Sequence, residues 1–154
     1  IADILSADDC SIPSSDLGRA GRRGLVGILF LIKITGALSE RGKSLEEITH
    51  HAKTITENIA TYGVGLTACS LPGQGPMLSL PADEIEVGMG VHGEAGYSRM
   101  KGKSAKDIVG LMLKDITGAL NLRDNDDVAV IVNNFGGASQ LEQGIVVHEI
   151  AKQL

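Results

Sequence analysis

The sequence predicts an α+β fold: a mixed sheet covered by helices on one face, a two-layer sandwich. Three observations predict it. First, "SLEE" at Ser44, "SAKD" at Ser104 and "SQLE" at Ser139 repeat one helix-starting device. The serine oxygen takes an orphan helix N–H, and the acid three residues on reaches back to the serine N–H. Second, strand-like runs lie between these helices: "GVGLTACSL" (63–71), "EIEVGMGVH" (84–92) and "DVAVIVNN" (127–134). Third, the order β-loop-α-α-β-β-α-β-α places two helices, then two strands, in succession, which a strictly alternating parallel design would not do.

The elements follow in order. "IADIL" at the start is a short strand candidate, and "SADDCSIPSSDLGRAG" is a polar, Pro- and Ser-bearing loop. A helix is predicted from Arg22 to Glu40, ended by Gly42. It is apolar on nearly every side, as a buried or interface helix is. The three serine-capped helices are one-sided. Their stripes are Ile48, Ala52, Ile55 and Ile59; Ile108, Leu111, Met112 and Ile116; and Val147, Ile150, Ala151 and Leu154.

At 154 residues the chain is long enough for one domain with its own core. Only 3% of residues are aromatic, so that core must come from Ile, Leu, Val, Ala and Met. The net charge is −5 and the basic residues are scattered, which argues against a nucleic-acid partner, because phosphate neutralisation needs a basic face. The longest apolar run, "GLVGILFLIKITGAL", is broken by Lys33 and too short for a membrane span. Cys10 and Cys69 form no metal-spaced set, and a reducing, cytoplasmic setting fits them. The chain opens in what reads as mid-strand, so residues 1–154 are expected to be a single domain excised from a longer protein.

The stretch "VGMGVHGEAG" (87–96) poses the functional question. Gly88, Gly90 and Gly93 satisfy G-x-G-x-x-G, but a dinucleotide loop needs a helix to begin at once. Here "EAGYSRMKGK" follows, polar and broken by Gly96. The histidine is the other candidate. Flanking glycines leave room for a ligand to approach His92, and Glu94 stands where a carboxylate can bond an imidazole nitrogen or a ligand hydroxyl. A neutral imidazole is a base or a nucleophile. The alternative is a strand-end histidine packed on a carbonyl, and both readings stay open.

Other features are weaker. "CSLPGQGPM" (69–77) and "NNFGGAS" (133–139) also follow strand-like runs, and the second leads into a helix N-terminus, where anions or hydroxyls can bind or a tight turn can simply sit. Arg22 and Arg23 in "AGRRG" suit either a phosphate or carboxylate ligand, or salt bridges. His50, His51 and His148 lie on helices without an i+4 partner, so no metal site is expected.

Taken together, "AGRRGLVG", "GVGLTACSLPG", "DEIEVGMGVHGEAG" and "VIVNNFGG" resemble, in order and spacing, the later part of the dihydroxyacetone-binding subunit or domain of dihydroxyacetone kinases. The resemblance covers nearly the whole chain. It implies that His92 holds dihydroxyacetone as a covalent hemiaminal, with Gly90, Gly93 and Glu94 around the substrate. It implies no cofactor on this domain; the phosphoryl group would come from ATP on a separate domain or from a phosphotransfer-system-linked subunit. A Gly-rich loop and an aspartate of the family site belong to the preceding, N-terminal half, so the fragment alone would be inactive. A homodimer is implied, with no membrane. The sequence departs from the family at "GILFLIK" and "CSIPSSDLGR". This leaves open a non-phosphorylating paralogue, a regulatory coactivator whose partner is a transcription factor.

Overall fold

The computed structural model describes residues 1–19, 21–68, 70–76, 79–92 and 95–154. Its elements are α1 (Ile28–Glu40), α2 (Leu45–Glu57), β1 (Val64–Gly65), β2 (Glu84–Val87), β3 (Ser98–Lys101), α3 (Ala105–Leu120) and α4 (Gln140–Gln153). The α+β class holds. The strands form an antiparallel sheet in the order β1-β2-β3. A separate, isolated parallel bridge pairs Asp9 with Thr61, three residues before β1. Cys10 N–H donates to Thr61 O at 2.9 Å and Thr61 N–H to Asp8 O at 2.7 Å.

Strand alternation sorts β2 into two faces. Ile85 and Val87 join Tyr62 in the core, against Ile108, Met112 and Ile116 of α3. The α3 stripe read from the sequence therefore faces the sheet. Glu86 points the other way, opposite Arg99 of β3, and Glu84 stands opposite Lys101. Charge complementarity across the pair explains how the polar segment "SRMK" becomes a strand that periodicity did not reveal.

The helices pack as two pairs, α1 with α2 and α3 with α4. Both full capping boxes, Ser44–Glu47 and Ser139–Glu142, are present. At Ser104 the box is half made: its oxygen accepts from Asp107 N–H, but the Asp107 carboxylate takes the Ser104 hydroxyl at 2.6 Å instead of its N–H. Aspartate is one methylene too short to reach back.

Several sequence expectations are corrected. α1 begins at Ile28, not Arg22, because Asp8 captures the N–H groups of Leu25 (2.8 Å) and Gly27 (2.8 Å) and fixes the chain before it can coil. Gly42, at φ +74°, ends it as expected. The segments 1–5 and 127–134 form no strand, since no ladder partner lies beside them among the described residues; Val128 and Val130 are exposed. Among the described residues of 63–71, Val64–Gly65 forms the strand, Ser70 makes an isolated bridge to Pro76, and the chain bends at Leu66. β2 stops at Val87 because Gly88 takes φ +74°, outside the extended region. On α4 the inward face carries Gln143, Val146, Glu149 and Ile150, one position off the predicted stripe; Val147 and Leu154 are exposed. Among the described residues no helix is long and apolar enough to cross a membrane.

Candidate functional site

The stretch 88–97 joins β2 to β3 as a hairpin connection. No helix follows the glycines, so the dinucleotide-loop geometry is absent. His92 lies on an exposed turn at the tip, beside exposed Val91. Gly90 is buried. Gly93 and Glu94, the other two expected substrate contacts, lie outside the described residues.

The foot of the loop on β2 is fixed through every polar group of Gly88. Its N–H donates to Gly63 O at 2.8 Å. Its carbonyl accepts from Arg23 Nη2 at 2.5 Å. A Cβ there would come within 2.6 Å of Ser11 Oγ, so glycine is required by both torsion and space. The neighbouring Met89 also needs bare backbone opposite it: a Cβ on Gly63 would stand 2.5 Å from Met89 O.

Behind that foot lies a pair of acids within the segment that the sequence presents only as a polar loop. Asp9 is 1% exposed. Its Oδ1 accepts from Ser11 N–H at 3.0 Å and Ser11 Oγ at 2.6 Å. Its Oδ2 receives Arg23 through Nε at 2.7 Å and Nη2 at 2.6 Å. Arg22 donates to Asp9 O at 2.9 Å and to Ser14 Oγ at 3.1 Å. Both arginines are therefore spent on internal bonds, Arg23 in a salt bridge and Arg22 in neutral hydrogen bonds, and Arg23 ties the "ADDCS" turn to Gly88. Asp8, also buried, accepts from Leu25 and Gly27 N–H, from Thr61 Oγ1 at 2.5 Å and from Ser6 Oγ at 2.9 Å. Burial pushes its carboxyl up, but the hydrogen bonds from Thr61, Leu25, Gly27 and Ser6 outweigh that and hold it below the usual range. Two adjacent acids ahead of a cysteine, in "LSADDC", were the available signal.

The other foot is held by Glu86, 2% exposed. Gly96 N–H donates to its Oε1 at 2.9 Å, and Arg99 Nε to its Oε2 at 2.7 Å. A Cβ on Gly96 would collide with Val87 O, so the two feet touch. Tyr97, next along, donates its hydroxyl to Asp16 at 2.5 Å, and that bond raises its pKa. An acid inside "EIEV", on the face away from the core, was the signal for Glu86.

The remaining candidates separate from the loop. Burial, Asp9 and Asp115 push the Cys10 thiol up to about 11, which makes it an inert packing group. Cys69 lies outside the described residues. His50 and His51 are exposed on α2, and among the described residues no acid, histidine and cysteine cluster could hold a metal. In 133–139, Asn134 closes a local turn, donating to Ala138 O at 2.8 Å and accepting from Ala138 N–H at 3.1 Å. The shallow surface depressions at Leu45–Lys53 and at Lys103–Lys114 do not include His92.

Residues 1–154 match the Dak1 domain family. The triokinase/FMN cyclase of Mus musculus is 47% identical over 135 residues, 84% of this chain and 23% of that protein. The dihydroxyacetone kinase of C. freundii superposes with a TM-score of 0.85 at 31% identity, over 97% of this chain and 27% of that one. A dihydroxyacetone kinase operon co-activator, Dha-DhaQ, superposes with a TM-score of 0.90 at 28% identity, over 97% of this chain and 46% of that one. The chain thus spans between about a quarter and about half the length of these proteins.

Proposed function

The chain belongs to the Dak1 domain family, and on that premise we propose that it is the substrate-anchoring domain of a dihydroxyacetone kinase, the C-terminal domain of the dihydroxyacetone-binding unit, with His92 as the nucleophile. The observation that carries this reading is the exposed His92 at the tip of a loop whose feet are both pinned by buried carboxylates. A ring nitrogen lone pair adds to the ketone carbon. The C–N bond forms as the C=O π bond opens, and the ring's displaced proton passes to the new alkoxide, leaving a neutral hemiaminal. Glycerol has no carbonyl to accept the nitrogen, so the step selects ketone over polyol by electrophilicity. Gly90 and Gly93 are assigned to the surroundings of the substrate, and Glu94 to the ring or a substrate hydroxyl.

The phosphoryl donor, ATP or a phosphotransfer-system subunit, belongs to a partner domain or subunit, in a cytoplasmic protein without a cofactor on this domain. A homodimer is part of the reading, with the exposed Ile28, Leu29, Ile32 and Ile34 of α1 as its apolar surface; gel filtration returning a monomer removes it. The co-activator likeness keeps a second reading, a non-phosphorylating sensor that recruits a transcription factor. The higher identity to triokinase/FMN cyclase favours the kinase.

Intact-mass measurement of the full-length protein with dihydroxyacetone tests the anchor. An adduct of one ligand mass, mapping to the peptide around His92 and lost in His92→Ala, is expected. No adduct at large ligand excess removes the nucleophile. Adding the donor then separates kinase from sensor.

A further inference from the structure

We propose that Arg23 is the positioning residue for His92: anchored on buried Asp9, its guanidinium holds the Gly88 carbonyl and sets the direction in which the loop leaves the sheet. The inference rests on the reading of His92 as the ketone's nucleophile. Three observations carry it.

The bonds are charge-assisted and form a fork. Nε and Nη2 reach Asp9 Oδ2 at 2.7 and 2.6 Å, and Nη2 also reaches Gly88 O at 2.5 Å. The pair is set into the interior, with side-chain exposures of 25% for Arg23 and 1% for Asp9, so water competes poorly for it. The contact also acts at the one residue where the loop's path is decided. Gly88 turns to φ +74°. Its N–H is already committed to Gly63, and a Cβ on it would meet Ser11 Oγ, itself bonded to Asp9, at 2.6 Å. With the carbonyl bound as well, the peptide plane after Gly88 cannot rotate, and Met89, Gly90 and Val91 carry that direction to His92. Nucleophilic addition needs the ring nitrogen on line with the carbonyl carbon, and misplacement by about 1 Å costs about 100-fold in rate.

The test uses the full-length protein in five forms: wild type, His92→Ala, Arg23→Lys, Asp9→Asn with Arg23→Gln, and Ser44→Ala. Lysine keeps a cation beside Asp9 but not the flat fork that reaches carboxylate and carbonyl together. The double variant removes both charges, so no buried charge is left alone if the lysine form fails to fold. Ser44→Ala weakens the distant α2 cap and controls for stability alone. Two quantities are read: the rate of dihydroxyacetone adduct formation at saturating ketone, and amide-hydrogen exchange over residues 87–92.

The expected result is an adduct rate lowered about 10- to 100-fold in either Arg23 variant, with faster exchange over 87–92, and Ser44→Ala within about twofold of wild type. Rates unchanged in the Arg23 variants, or lowered equally by Ser44→Ala, overturn the proposal. If wild type forms no adduct, the nucleophile reading fails by itself. Exchange then still judges Arg23: faster exchange upholds its hold on the loop, and unchanged exchange overturns it.

Discussion

Two glycine-bearing loops in this molecule follow strand-like sequence, and they are built in opposite ways. The loop 88–97 takes its shape from residues far away in the chain: Asp9, Ser11, Arg23 and Gly63 at one foot. The loop 133–139 takes its shape from near neighbours in the chain, through Asn134 bonded to Ala138 and to Gln143 at the start of α4, and Asn133 Oδ1 accepting from Phe135 N–H at 3.1 Å. Gly88 and Gly136 share nearly the same torsion, φ +74° and +81°, yet a Cβ on Gly136 would meet nothing within 4 Å. The same residue type serves close packing in one loop and torsion alone in the other.

That difference can be broken or sharpened by substitution. The largest effect is expected for Gly88→Ala, at about 3 kcal/mol, combining a left-handed torsion with a clash against Ser11. Urea midpoints at unchanged m-value measure it; a cost no larger than that of Gly136→Ala would erase the distinction between the loops.

Asp8, which braces the wall behind the first loop, gives the next effect. Its folded carboxyl lies below its unfolded value, so its contribution is complete at neutral pH and is lost as pH falls through the folded value. Asp8→Asn is expected to cost about 2 kcal/mol at pH 7, because an amide nitrogen cannot accept from Gly27 and Thr61. It is also expected to flatten the acid limb of a stability–pH curve. A variant curve parallel to wild type down to about pH 2 contradicts the assignment.

Asn134→Ala should cost about 1.5 kcal/mol, through the two Ala138 bonds, and leave dihydroxyacetone adduct formation untouched. A slowed adduct would mean that the second loop serves the first after all. Smallest is Gly136→Ala, about 1 kcal/mol from torsion alone, read by the shift in melting temperature against wild type.

Legibility in the sequence followed the range of the forces involved. Ser44, Ser104 and Ser139 mark true helix starts because a cap is a contact three residues long. The sequence pattern starts α1 six residues too early because its start is set by Asp8, seventeen residues before Leu25. Residues 127–134 have strand composition, but a strand exists only beside a partner. His92 stood out because its glycines are local. Asp9 and Glu86, which shape its loop, did not, and Arg23 stood out without its partner, since nothing in a linear pattern pairs it with a carbonyl sixty-five residues on.

That separation bears on the order of folding. Bringing Arg23 to Gly88 closes a long stretch of chain, an entropic cost that local turns escape. The loop carrying His92 is therefore expected to settle late, once Asp9, Arg23 and the end of β2 have come together. Synthesis from the N-terminus delivers the Asp9–Arg23 receptor before the loop that docks on it, so the part that presents the imidazole closes onto a site already made.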